Sequence, residues 1–358
     1  MLEARAALHR LTPYHPPIYG RRGLRLDFNE STAGCSPRVL RRLRQLDATV
    51  LAQYPEREPV EGEVARFLGL AADQVLLTNG VDEAIHLLCE TYLGPETEAL
   101  IAVPTFGMYC VYAAASGARV ETVLAEDGFR FPAERLLERI NERTRLIAIA
   151  NPNSPTGAVA TRSDLRRIIA AAPDAAVLLD EAYFEFYGQT LLDQVGHSPN
   201  LFVARTFSKA YGLAGLRIGL LAGDAQQMAV VRRTTSPYNV NAAALACVME
   251  ALSDQDYVTA YVEQVSQNRA DLEQHLRELG LEYWPSQANF VLARVGERHR
   301  EFVGRMREHG VLVRDRSADP GCAGCVRITV GTKRDMVLLT AALRELAPRL
   351  TRRAETSA

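Results

Sequence analysis

A chain of 358 residues has room for one large core and a smaller companion, which excludes a single small module. Its 41 basic and 43 acidic side chains leave a formal charge of -2, and no stretch interleaves Lys or Arg with aromatics, so nucleic acid is not an expected partner. No apolar run approaches the ~20 residues of a membrane helix, and residues 1–20 carry Glu3, His9, His15 and several prolines in place of a signal-peptide core, so a cytoplasmic protein with no membrane partner is expected.

In chain order, Val39, Leu40, Leu43 and Leu46 are spaced as one stripe of a helix with Arg41, Arg42 and Arg44 outside it, a solvated face. From about residue 75 to 220, short apolar runs alternate with helical patterns, the signature of βαβ units and a mainly parallel sheet covered on both faces. The expected strands are Val75 to Leu77, Ala99 to Val103, Val120 to Leu124, Leu146 to Ala150, Ala176 to Leu179, Leu201 to Ala204 and Ile218 to Ala222. Helices are expected at Asp82 to Tyr92, Tyr109 to Ser116, Pro132 to Ile140 and Arg162 to Ala171.

A long helical zone near 238–280 precedes a change of texture. Phe290 to Ala293, Val311 to Val313 and Val326 to Val330 read as strands, and 298–309 and 334–346 as helices, giving a second α+β domain. The expected division is an arm and part of the small domain over 1–40, a large domain over 41–275 and the small domain over 276–358. Cysteines 35, 89, 110, 247, 322 and 325 are scattered in apolar surroundings, as for reduced core residues. Cys322 and Cys325 lack the second Cys or His pair of a zinc site, so no metal is expected.

Five segments with chemical potential follow predicted strands, where ligands bind in an open α/β sheet. Thr78 to Glu83 is a strand-to-helix turn whose N–H groups can hold an anion, or simply a capped helix. Pro104 to Tyr109 offers Phe106 as a stacking ring. Asn151-Pro152-Asn153-Ser154-Pro155-Thr156-Gly157 is an exposed turn with polar side chains, or only a connection. Asp180 ends a wholly apolar run; buried there it needs a cationic partner, unless it merely caps a helix with Tyr183 as core. In Thr206-Phe207-Ser208-Lys209-Ala210, a partly desolvated lysine can form an imine with an aldehyde, with Thr206, Ser208 and Arg217 suited to a phosphate ester. The alternative for Lys209 is a surface lysine in a Gly-rich loop.

The fixed order of these segments resembles the fold-type I pyridoxal-phosphate enzymes, aminotransferase class I/II. Within that group the chain most resembles the histidinol-phosphate aminotransferase family, through Leu11-Thr12-Pro13-Tyr14, Asn29-Glu30, Tyr54-Pro55, Ala288-Asn289-Phe290, Val313-Arg314-Asp315 and Gly324 to Thr332. The resemblance implies an α/β/α large domain with a mostly parallel sheet, a smaller α+β domain and pyridoxal 5'-phosphate as cofactor. It also implies a homodimer acting on a small-molecule amine donor and a keto acceptor.

By the same resemblance Lys209 is the Schiff-base lysine and proton shuttle, Asp180 the partner of the pyridinium nitrogen, and Tyr183 the donor to the phenolic oxygen. Phe106 stacks on the ring. Val81, Asp82, Thr206, Ser208 and Arg217 form the phosphate cup, and Tyr54 reaches it from the neighbouring subunit. Tyr14, Asn29, Arg314 and Arg327 face the substrate. Where the family has Asn before Pro-Thr-Gly, this chain has Ser154, with Asn153 one residue earlier; both are candidates for the ring edge. The segment Asn29 to Gly34 also departs from the family pattern. The implied reaction is transamination of L-histidinol phosphate with 2-oxoglutarate in histidine biosynthesis, ahead of an aromatic or other amino-acid aminotransferase and of a phosphothreonine decarboxylase-like lyase.

Overall fold

The computed structural model describes residues 2–9, 11–12 and 19–350. Among the described residues twelve strands fall into two sheets: β1 (Leu24–Leu26), β2 (Val75–Thr78), β3 (Glu98–Val103), β4 (Arg119–Leu124), β5 (Thr144–Ala150), β6 (Ala176–Asp180), β7 (Leu201–Thr206), β8 (Gly219–Gly223), β9 (Glu282–Trp284), β10 (Phe290–Arg294), β11 (Val311–Asp315) and β12 (Cys325–Thr329). The larger sheet runs β2-β8-β7-β6-β5-β3-β4, parallel throughout except at β8, which is antiparallel to both neighbours.

Alternation of side chains along each strand decides where the core lies. Leu146 and Ala148 of β5 join one buried cluster, with Leu178, Phe202 and Leu88, while Ile147 and Ile149 join the other, with Val177, Leu179 and Val203. The first cluster lies under helices Gly80–Tyr92 and Met108–Ala115; the second continues to Phe290, Phe302 and Val326 of the smaller unit. Both faces are therefore covered, as the near-continuous apolar strands require.

The smaller sheet, β1-β11-β12-β10-β9, takes its first strand from near the chain start and the rest from after residue 280. The three-residue strands β1 and β9 are absent from the sequence-based expectation, being too short to show a period. Helix Glu58–Leu68 is likewise unexpected because Pro59 and Gly62 weaken its pattern, although Pro fits the first turn that it occupies. The zone 238–280 resolves into Ala242–Ser253 and Gln255–Glu278, interrupted at Asp254. Leu40 departs from its expected stripe and is 44% exposed, whereas Val39 is buried. The six cysteines are free, and among the described residues no group of three or more His, Cys, Asp or Glu is placed for a metal.

A polar network sets the turn after β2. Buried Glu61 accepts from Leu77 N at 2.8 Å and pairs with Arg57 Nε at 2.9 Å and Arg232 Nη1 at 3.0 Å. Asn239 joins it, donating to Leu77 O at 2.9 Å and Glu83 Oε2 at 2.7 Å, and Glu83 in turn accepts from Asn79 N at 2.6 Å. Removing the shared anion takes the buried carboxylate from between two guanidiniums and, among the described residues, leaves Arg57 only the exposed Glu58 carboxylate at 3.8 Å. Glu61→Ala should lower the free energy of unfolding by about 3–5 kcal/mol in urea titrations of the apoprotein; a loss below about 1 kcal/mol would make the network dispensable.

Candidate active site

The carboxyl ends of the parallel strands converge on a cavity of about 310 Å³. Its wall includes Val81 and Asp82 after β2, Phe106 after β3, Ser154 after β5, Asp180 and Tyr183 at and beyond β6, and Thr206, Ser208, Lys209 and Arg217 at and beyond β7. Phe28, Asn29 and Glu30 enter from the amino-terminal segment, and Arg314, Arg316 and Arg327 from the smaller sheet. Five arginines and Lys209 face three carboxylates, Glu30, Asp82 and Asp180, so the cavity favours anions.

Asp180 is the last residue of β6 and 5% exposed. Its Oδ2 accepts from the Tyr109 hydroxyl at 2.5 Å and its Oδ1 from Ala182 N at 2.9 Å. Burial pushes the carboxyl up to about 6, partly offset by those two donors, and Asp82 and Glu181 add to the rise. Burial and Asp180 hold the Tyr109 phenol well above its ordinary range, so it stays a donor. Adjacent Glu181 solves the same problem differently: it takes Arg205 at 3.0 Å, Thr190 and Leu191 N as partners. The bonds to Asp180 come from neutral donors, which suits a cationic N–H entering from the cavity.

Lys209 Nζ donates to Phe28 O at 2.9 Å and lies 6.0 Å from the centre of the Tyr183 ring. Thr206 Oγ1 donates to Ser208 Oγ at 3.0 Å, and Arg217 Nη2 pairs with Asp82 at 3.0 Å across the first turn of helix Gly80–Tyr92. The helix start supplies N–H groups and positive potential. Gly80 is required here: its φ is +74°, and a Cβ would stand 2.5 Å from Arg217 Nη2. These residues fit pyridoxal phosphate, with an amine for its aldehyde, a carboxylate for its ring nitrogen and a cup for its phosphate.

Other expected residues take different places. Asn153 does not line the cavity: its amide is turned away, accepting from Thr105 Oγ1 at 2.7 Å and donating to Pro104 O at 2.9 Å and Thr156 Oγ1 at 2.8 Å, which ties the turn together. Ser154 does face the cavity and accepts from Arg327 Nη1 at 2.9 Å. Asn29 lines the wall, but its side chain is bound to Tyr183 and Thr329. Arg327 also donates to Asp27 O at 2.7 Å, and Arg314 lies 5.1 Å from the Phe28 ring centre. Tyr54 is outside its own chain's cavity, 76% exposed and stacked on Tyr238 at 4.1 Å. Tyr14 lies outside the described residues.

Three further residues of the wall carry no signal of their own in the sequence. Tyr109 sits in the segment after β3, but only the fold aims it at Asp180. Arg21 is held by Asp27 and Glu30, each at 2.6 Å. Arg316 follows Arg314 by two positions, just past the end of β11, and pairs with Asp319. Gly80→Ala should displace Arg217 and weaken pyridoxal-phosphate retention about 10-fold or more, measured by titrating the apoprotein with the cofactor and following absorbance; unchanged affinity would remove Arg217 from the cup.

A family model for aminotransferase class I and II matches residues 21–343. The histidinol-phosphate aminotransferase of Geobacillus thermodenitrificans is 36% identical over 353 residues, covering 93% of this chain and 94% of that one. Histidinol-phosphate aminotransferase 2 of Methylococcus capsulatus is 35% identical, with 94% and 96% covered. Among solved structures, histidinol-phosphate aminotransferase from Sinorhizobium meliloti, in complex with pyridoxal-5'-phosphate, superposes with a TM-score of 0.88 at 26% identity, covering 97% of this chain and 98% of that one. Relatives that share over a third of their residues along nearly the whole length, together with the family match, leave one assignment: the chain belongs to the class I and II aminotransferases and is a pyridoxal-phosphate-dependent enzyme.

Proposed function

We propose that the enzyme transaminates L-histidinol phosphate, with 2-oxoglutarate as acceptor, in histidine biosynthesis. The observation that carries the substrate is a cluster of guanidiniums on the cavity wall. Arg314 and Arg327 are directly paired across β11 and β12, and Arg316 lies beside them. Like charges opposed across a ladder are unfavourable unless an anion lies between them. Asp319 feels all three, and guanidiniums gathered on one wall suit a phosphate dianion.

Bound pyridoxal phosphate supplies an electron sink for the carbanion formed at the substrate's α-carbon. In this reading Asp180 keeps the ring nitrogen protonated and Tyr183 donates to the phenolic oxygen. Arg217, Thr206, Ser208 and the N–H groups of Val81 and Asp82 hold the phosphate, and Phe106 stacks on the ring. Lys209 would hold the cofactor through its ε-amine and, once freed, would carry the proton removed from the substrate's α-carbon to the position that completes amine transfer. Arg314 and Arg327 orient the substrate anion, and Tyr14 is a further candidate for binding it.

We also propose a cytoplasmic homodimer in which Tyr54 reaches the neighbouring cup. Supporting it, Leu40, Leu51, Tyr54 and Tyr238 are large exposed apolar side chains. No helix among the described residues is long and apolar enough to cross a membrane. Tyr54→Ala should weaken cofactor retention about 10-fold while leaving sedimentation as a dimer intact; unchanged retention would sever Tyr54 from the cup.

The substrate is tested by mixing holoenzyme separately with histidinol phosphate, phenylalanine, histidine and glutamate and following loss of the lysine–cofactor absorbance. Histidinol phosphate should react far faster than the free amino acids, and Arg314→Gln should raise its KM about 10- to 100-fold. Faster reaction of phenylalanine would favour an aromatic aminotransferase, and release of carbon dioxide from phosphothreonine a lyase.

A further inference from the structure

Three consecutive residues of the amino-terminal segment each touch a different part of the active site. Asp27 O accepts from Arg327, Phe28 O accepts from Lys209, and the Asn29 side chain meets Tyr183. Asn29 is 1% exposed with φ +56°, and all of its polar groups are engaged. Its N–H donates to Thr329 Oγ1 at 3.0 Å, and its carbonyl accepts from Asn289 Nδ2 at 3.1 Å. Its Oδ1 lies 3.1 Å from the same Thr329 hydroxyl, and its Nδ2 lies 2.8 Å from the Tyr183 hydroxyl.

Proton counting fixes the direction of this chain of hydrogen bonds. Thr329 is fully buried and its oxygen takes the Asn29 backbone N–H; Asn29 Oδ1 is the acceptor within reach of its single hydroxyl hydrogen, which a reversed amide would leave unmet. That holds the amide with its NH2 group toward Tyr183, whose oxygen is then an acceptor. The phenolic hydrogen must point elsewhere. Tyr183 is 8% exposed, borders the cavity and is braced edge-on by Phe290 at 5.2 Å, so the open direction is the cavity. Ser154 accepts from Arg327, which fixes its oxygen but leaves its own hydroxyl hydrogen as a second donor on this wall.

We propose that Asn29 is a positioning residue: locked by Thr329, it aims the Tyr183 hydroxyl proton into the cavity, at the cofactor's phenolic oxygen. The proposal rests on the reading of Tyr183 as donor to that oxygen. An aspartate at position 29 tolerates the left-handed backbone but offers acceptors only, so it would draw the Tyr183 proton toward itself. Lys209 Nζ lies 6.0 Å from the Tyr183 ring centre, and Asp180, Asp82, Glu30, Arg21, Arg217, Arg314, Arg316 and Arg327 are the other charged groups of the same cavity wall.

The test is the pH midpoint of the visible absorbance of the lysine-bound cofactor, which reports the proton shared between the linkage nitrogen and the phenolic oxygen. A donor on that oxygen withdraws charge from it, so losing the donor strengthens proton binding and moves the midpoint to higher pH. Tyr183→Phe should raise it by about one unit or more. Asn29→Asp should raise it comparably, and should add nothing in the Tyr183→Phe background. Thr329→Val, which removes the lock and leaves Asn29 in place, should raise it less, and Thr329→Ser should restore the original value. If Asn29→Asp and Thr329→Val leave the midpoint in place while Tyr183→Phe moves it, the positioning role is overturned. It is equally overturned if Asn29→Asp shifts the Tyr183→Phe enzyme by the same amount, since the carboxylate then acts as a charge. A Tyr183→Phe enzyme with an unmoved midpoint would instead overturn the reading of Tyr183 itself.

Discussion

The active site is organised around a carboxylate placed at the end of an apolar strand. β6 is buried along its whole length, and a charge at its terminus is tolerable only with partners. Asp180 and Glu181 are neighbours in sequence yet meet this demand in opposite ways. Glu181 is neutralised inside the protein by Arg205, two hydrogen bonds reinforcing the pair. Asp180 is given a phenol and one backbone N–H, enough to fix its direction but not to cancel its charge. In the proposed reading a ring nitrogen carrying a proton would complete it, and cofactor binding and carboxylate ionisation would then favour each other.

Rigidity elsewhere serves the same cavity. The Glu61, Arg57, Asn239 and Glu83 network holds the β2 turn from behind, and Gly80 lets Arg217 lie across its front. Arg217 itself adopts a left-handed backbone with φ +53°, a conformation that a non-glycine residue keeps only when its surroundings demand it. The geometry of the proposed phosphate cup therefore depends on groups that lie behind it.

Much of this is legible in the sequence because buried parallel strands announce themselves as apolar runs, and ligands gather at their ends. Asp180, Lys209 and the turn at Gly80 are visible on that basis. The direction of a side chain in a turn is not: Asn153 and Ser154 look equivalent in the sequence, but only Ser154 faces the cavity. Tyr109 and Arg316 belong to segments whose character the sequence does reveal, yet their roles depend on neighbouring elements. Asn29 and Thr329 are 300 residues apart, and no local spacing announces a bond across that distance. The strand β1 is hidden for a related reason, since its identity comes from pairing with β11 rather than from its own three residues.

Residues 27–29 join the two ends of the reaction. The strand before them belongs to the smaller sheet, and through Arg327, Lys209 and Tyr183 they contact the groups proposed to hold substrate, cofactor linkage and ring edge. Substrate affinity and the proton affinity of the cofactor linkage then become linked functions of one short segment. By thermodynamic reciprocity, whatever an anion at Arg327 does to the linkage proton, that proton does equally to the anion's binding. The pH dependence of substrate affinity would thus be a property of the backbone strap as much as of any titrating side chain.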